Sequence, residues 1–361
     1  MLNKGESLWE IAVNLSKEKS LSYSTTGSIS KERTLIILGS KGVGKTSLIH
    51  RFLDRDESAK QTLALEYTFG RKAGKSLVKD VCHIWELGGG TLYPSLITTP
   101  LSASQDLSSV TAVLMLDLSS PQQLWFTLET LLQSIITSLR GCEKMAKVSG
   151  KLLLMEFLQD QAWDRVGRDN TDKDYMDPFP IPLVILGGKY DIFQDFDPEK
   201  KKVMCRCLRY VAHTLGATLQ FYSVKDTGLV KRAKDLLSHH GFGTNPLKSI
   251  SQDYNKPLLI PAGSDSMDQI GGLGSTQGLL GNKGPGSALD RWKHTFTKHF
   301  PQEVSEKSVM PEDPAKDMNF SEPTIDFLRS QKDDELERYR QEAERKQKYF
   351  SDLEIDYNNE F

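Results

Sequence analysis

Gly39-Ser40-Lys41-Gly42-Val43-Gly44-Lys45-Thr46 is the stretch whose reading decides the fold. It follows an apolar run, Thr34-Leu35-Ile36-Ile37-Leu38, and opens a helical pattern carried by Leu48, Ile49, Phe52 and Leu53. Strand, glycine-rich loop and helix stand in the order that a phosphate-binding loop requires. The glycines let backbone N–H groups turn inward around phosphate oxygens, and the helix directs its positive end to the same point. In such a loop Lys45 reaches the β- and γ-phosphates and the Thr46 hydroxyl sits on Mg²⁺.

Working outward, the chain alternates strands with helices. Thr62 to Phe69 and Val81 to Leu87 read as a hairpin across the turn at Gly70–Lys75. Val110–Leu118, Pro182–Gly187 and Thr218–Tyr222 read as further core strands. Between them lie a helix from Pro121 with a core face of Leu124, Leu128, Leu131, Ile135 and Leu139, and a second helix from Asp197 to Leu215. Residues 141–181 read as an insertion, and Leu229–Leu237 as the last helix of the domain. The pattern specifies an α/β fold, a doubly wound and mostly parallel sheet, with helical N- and C-terminal extensions.

Four segments follow. Residues 1–30 hold a short amphipathic helix (Leu8, Trp9, Ile11, Ala12, Leu15) and a Ser/Thr-rich linker. That helix has two readings, folding back on its own domain or docking on a partner, because a helix so short is marginal alone. Residues 31–245 form the P-loop domain. Residues 246–300 form an extension with an edge strand near Lys256–Pro261, a Gly-rich loop at 271–287 and a docking helix marked by Trp292, Phe296 and Phe300. Residues 301–361 are an acidic tail, net −8, which leaves +6 on the rest of a chain of net charge −2. Leu336, Tyr339, Ala343 and Phe350 make a thin apolar stripe there, on a helix that is either solvated or held by a partner.

A net charge so near zero draws in neither nucleic acid nor an anionic membrane. No run of 18 apolar residues and no signal-peptide core is expected to insert into a membrane. The four cysteines, Cys82, Cys142, Cys205 and Cys207, have neither disulfide-framework nor zinc spacing and read as reduced thiols of a cytosolic protein.

The nucleotide motifs can then be sought in order. Glu86-Leu87-Gly88-Gly89 stands where a GTPase carries Asp-x-x-Gly, so Glu86 is a candidate for Mg²⁺ through a water. The next position, which elsewhere holds the water-orienting glutamine, is Gly90. Gly188-Lys189-Tyr190-Asp191 stands for the guanine-reading Asn-Lys-x-Asp: Asp191 is placed for the guanine N–H groups, the Lys189 stem for the base face, and the asparagine is replaced by Gly188. Ser223-Val224-Lys225 matches the loop that closes on the base. Cofactor-binding candidates are thus Gly39 to Thr46, Lys189, Asp191, Ser223 and Lys225, for GTP or GDP with Mg²⁺. No catalytic residue is assigned, and hydrolysis is expected to be absent or very slow.

Leu63-Ala64-Leu65-Glu66-Tyr67-Thr68-Phe69-Gly70-Arg71-Lys72, Ile84-Trp85-Glu86-Leu87-Gly88-Gly89-Gly90, the run Gly188–Asp197 and Arg209-Tyr210-Val211-Ala212-His213 carry a longer signal. They resemble the light intermediate chains of cytoplasmic dynein, above all the dynein-2 branch that serves retrograde intraflagellar transport. The resemblance runs from about residue 7 to about residue 300. It implies a Ras-like P-loop domain acting as a non-catalytic motor subunit. The partners implied are the dynein-2 heavy-chain tail, other dynein-2 subunits and the intraflagellar transport machinery. The places implied are the cytoplasm, the cytoskeleton, the ciliary base and the axoneme. The competing readings are an active small-GTPase-like switch and a P-loop ATP enzyme. Trp9 and Trp292 are the expected anchors on the heavy chain.

Overall fold

The computed structural model describes residues 32–73, 79–104, 106–148, 154–246, 249–271, 285–303 and 321–359. The expectations placed on residues 1–30, Trp9 included, and on most of the Gly-rich loop lie outside these residues. The described chain forms two units, one ending before Lys307 and one after it.

In the first unit, β1 (Glu32–Gly39), β2 (Leu65–Ala73), β3 (Lys79–Leu87), β4 (Val110–Asp117), β5 (Leu183–Gly188), β6 (Thr218–Phe221) and β7 (Leu259–Ile260) make a seven-stranded sheet in the order β2-β3-β1-β4-β5-β6-β7. The five central strands are parallel, and the edge strands β2 and β7 are antiparallel to their neighbours. The helices are α1 (Lys45–Phe52), α2 (Thr98–Ala103), α3 (Pro121–Val148), α4 (Leu154–Val166), α5 (Tyr190–Phe193), α6 (Pro198–Thr214), α7 (Thr227–Phe242), α8 (Met267–Ile270) and α9 (Pro285–His299). Among the described residues the second unit contributes one helix, α10 (Pro323–Asn359).

The inner strands read as continuous apolar runs because both faces are covered. Ile36, Leu38, Leu114 and Ile185 enter a core roofed by α3, α6 and α9, and Leu35, Ile37, Val113 and Val184 enter a second core under α1 and α7. All five residues of the expected α3 core face are buried. The hairpin strand starts at Leu65, three residues later than the alternation predicts. Gly88 N donates to Ala64 O at 2.7 Å, so the β2–β3 ladder closes on residues just outside the strands.

The extension corrects one expectation. Trp292 is 6% exposed and stacks on Tyr210, with ring centroids 4.9 Å apart. Phe296 is fully buried against Trp125. Four-residue spacing indicated a docking helix, and α9 does dock, on α6 of its own domain. Trp292 is therefore part of the core and cannot anchor an outside chain. The fit is reinforced by the buried Arg209–Asp265 pair, which ties α6 to the segment before α8 at 2.6 and 2.9 Å.

Candidate nucleotide site

The loop between β1 and α1 is shaped by its glycines. Gly39 has φ +145°, and a Cβ there would lie 1.9 Å from Met115 O, so this strand end tolerates no side chain. Gly42 (φ +71°) and Gly44 (φ +99°) turn the loop through left-handed backbone, and a Cβ on either would meet open space. No side chain caps α1, which leaves its first-turn amides facing that space. Lys45 Nζ donates to Gly39 O at 3.1 Å and Ser40 O at 3.0 Å, so its ammonium is fixed at the loop. Val43 packs inward, Ser40 Oγ accepts from Asp117 N at 3.3 Å, and Lys41 is exposed. This donor set fits a polyphosphate.

The candidate magnesium position is a partly buried polar cluster, with Thr62 and Glu86 buried, Thr46 half-buried and Glu66 exposed. Thr46 Oγ1 donates to Glu86 Oε1 at 2.8 Å and lies 3.4 Å from Thr62 Oγ1, which in turn donates to Glu66 Oε2 at 3.2 Å. Burial pushes the Glu86 carboxyl up, against the pull of the Thr46 hydroxyl and Lys45. Burial likewise holds the Lys45 ammonium down, against Glu86. Because the Thr46 hydroxyl donates to Glu86, its lone pairs stay open for a magnesium ion, and the Glu86 carboxylate behind it would reach that ion through a water. When bound, the ion would neutralise phosphate charge. Thr62 and Glu66 escaped the sequence reading, because a threonine opening a strand carries no motif of its own.

The terminal-phosphate parts are differently disposed. The Gly88 amide is spent on Ala64 O. Gly89 and Gly90 have φ +71° and +67°, and a Cβ on Gly90 would press on Lys41 N at 3.2 Å. Position 90 therefore lacks a glutamine and has a backbone that disfavours one.

At the base end the expected residues come together. Asp191 Oδ1 accepts from Ser223 Oγ, and Oδ2 pairs with Lys225 Nζ, both at 2.7 Å. Those two partners hold its carboxyl below the usual range. Lys189, at φ +58°, donates to Asp117 Oδ2 at 2.6 Å. Asp117 was missed; its signal was a carboxylate closing an apolar strand. Gly188 touches the loop itself: a Cβ there would lie 2.7 Å from Val43 Cγ2. The room that an asparagine would need is filled by valine. Tyr190, Asp191, Gln194, Ser223, Lys225 and Thr227 line an open cleft beside these groups.

Comparison with known proteins decides the family. Over 354 residues, 97% of this chain and 99% of the relative, the sequence is 43% identical to cytoplasmic dynein 2 light intermediate chain 1 of Mus musculus. The protein of that name from Danio rerio is 45% identical over 86% of each chain, and that from Homo sapiens 40% identical over 97% of this one. The chain belongs to the cytoplasmic dynein 2 light intermediate chains. A solved structure described as the dynein light intermediate chain's conserved domain shares the fold, with a TM-score of 0.51 at 17% identity over 74% of this chain and 98% of that one. A family model described as Roc, the Ras of Complex domain of DAPkinase, matches residues 34–137. As a light intermediate chain, the protein thus has a Ras-like, nucleotide-binding-type fold. No helix among the described residues is long and apolar enough to cross a membrane.

Proposed function

We propose that this chain is the non-catalytic light intermediate chain of a cytoplasmic dynein-2 motor. In this role it binds the heavy-chain tail and supports retrograde intraflagellar transport and cilium assembly. It would work in the cytoplasm, at the ciliary base and along the axoneme, beside the other dynein-2 subunits and the transport machinery. The observation that carries this reading is 40–45% identity with the dynein-2 relatives, aligned over 86–97% of the chain. The test is a pull-down of the heavy-chain tail, paired with re-expression in ciliated cells that lack the subunit. Recovery of the tail and of return transport is expected; a chain that restores neither ends the proposal.

The nucleotide site acts in this reading as a structural one, taking GTP or GDP with Mg²⁺. Gly39 to Thr46 would hold the phosphates, Thr46 and Glu86 the metal, and Lys189, Asp191, Ser223 and Lys225 the base. A ligand bound only to the native state stabilises it, by about 2.7 kcal/mol at a hundred times its Kd. Added nucleotide should therefore raise the melting temperature of the wild type and leave Lys45→Ala unmoved. Equal responses would remove the site from the proposal. Phosphate release should match the Lys45→Ala control. Release clearly above it would favour the switch reading.

A further inference from the structure

The helix α10 is 37 residues long and stands as a unit of its own. Its Leu336 and Tyr339 are 51% and 62% exposed. Helices of this kind rarely persist without a surface to cover them or a dense set of charge pairs. The apolar residues are not scattered. Leu336, Tyr339, Ala343, Phe350, Leu353 and Tyr357 follow alternating steps of three and four residues, broken only at Lys346. That is a heptad seam, and the same steps run back from Leu336 to Lys332 and Arg329.

The charges on the seam identify what it faces. Lys332 and Lys346 are tied in the helix to Glu335 at 2.7 Å and Glu342 at 3.1 Å, and Arg329 to Asp333 at 3.8 Å. Exposed in-helix pairs of this type are weak and do not offset like charges brought face to face. A second copy in parallel register would set each of these three cations against itself. An antiparallel copy centred on Gln341 would set Arg340 against Arg340 and Glu342 against Glu342. Polar residues at seam positions select partners in this way.

We propose that residues 329–357 are one strand of a heterotypic coiled coil. The partner is a helix of a different chain, apolar along its seam and acidic where it meets Arg329, Lys332 and Lys346. The test uses the full chain and two synthetic labelled peptides with leucine seams. One carries Glu, the other Lys, at the positions opposite the three cations, and each is made in parallel and antiparallel registers. By fluorescence anisotropy the best Glu peptide should bind at least tenfold tighter than its Lys counterpart. Lys332→Glu with Lys346→Glu should reverse that preference. Leu336→Asp with Tyr339→Asp should abolish binding of both peptides. Equal binding, or no binding by either, overturns the proposal. A dimer of the full chain in sedimentation that Leu336→Asp dissolves also overturns it, since the seam would then belong to a second copy.

Discussion

Gly188 shows how one missing side chain can be read from both sides. The sequence reveals the loss of the asparagine that would help read a guanine. The structure adds that Val43 has taken the space, with its Cγ2 2.7 Å from where a Cβ would sit. Restoring the residue alone should therefore fail. Gly188→Asn should destabilise the domain by about 1–3 kcal/mol, as overpacking does. Adding Val43→Ala should recover much of that, because the two sites share one volume. Urea denaturation of the single and double variants is the measurement, and additive losses would show that the two positions do not compete. The phosphate loop was legible because its glycines answer to a fixed geometry that any P-loop needs. Val43 was not, since a valine in such a loop takes its meaning from the residue across the fold. Thr62, Glu66 and Asp117 were hidden for the same reason: Thr62 and Glu66 join the site only when β2 pairs with β3, and Asp117 only when β4 lies beside β1.

At the scale of elements, periodicity told which residues are buried and left open what buries them. The α3 stripe had only one place to go, under a sheet the sequence already required. The stripe on α9 had two, and its partner turned out to be α6. Trp292→Ala should accordingly lower the stability of the isolated protein by about 3–5 kcal/mol, the cost of emptying a large aromatic site. Thermal melting of the variant without any partner checks this, and an unchanged melting curve would return Trp292 to the role of an external anchor. The helix α7 carries a second consequence. His240 packs against β4, its Nδ1 3.3 Å from Thr111 Oγ1, and burial pushes its pKa down to about 3, helped by His239 and Arg33. A neutral folded imidazole contributes stability above its ordinary pKa of 6.5, and that contribution is lost as the pH falls from there toward 3. A single proton is involved, so the loss cannot exceed about 1.4 kcal/mol per pH unit, and it is smaller because part of the residue still meets solvent. His240→Asn should flatten the fall in urea stability between about pH 7 and about pH 5. An identical slope in the variant would place the acid sensitivity elsewhere.

For the whole molecule, the division of charge is the plainest feature: −8 on residues 301–361 and +6 on the remainder. Composition announces a change of character near residue 300, and the first compact unit ends at Glu306. Removing residues 304–361 should leave the melting temperature of the body within about 2 °C, because among the described residues the buried core ends at Phe300. Recovery of the heavy-chain tail should also be unchanged. A truncated chain that melts early or loses the tail would make this segment part of the main scaffold.

The ladder between β2 and β3 has a last implication. A molecular timer needs a segment that lets go when its terminal phosphate is spent. Here the residue before the motif's last glycine is pinned to a neighbouring strand, Gly88 N to Ala64 O at 2.7 Å, and the residue after it, Gly90, has no side chain to hold an attacking water. A complex built on such a part keeps no clock. Its lifetime would follow from how slowly the subunits separate, and a cell wishing to shorten it would have to act on the contacts themselves.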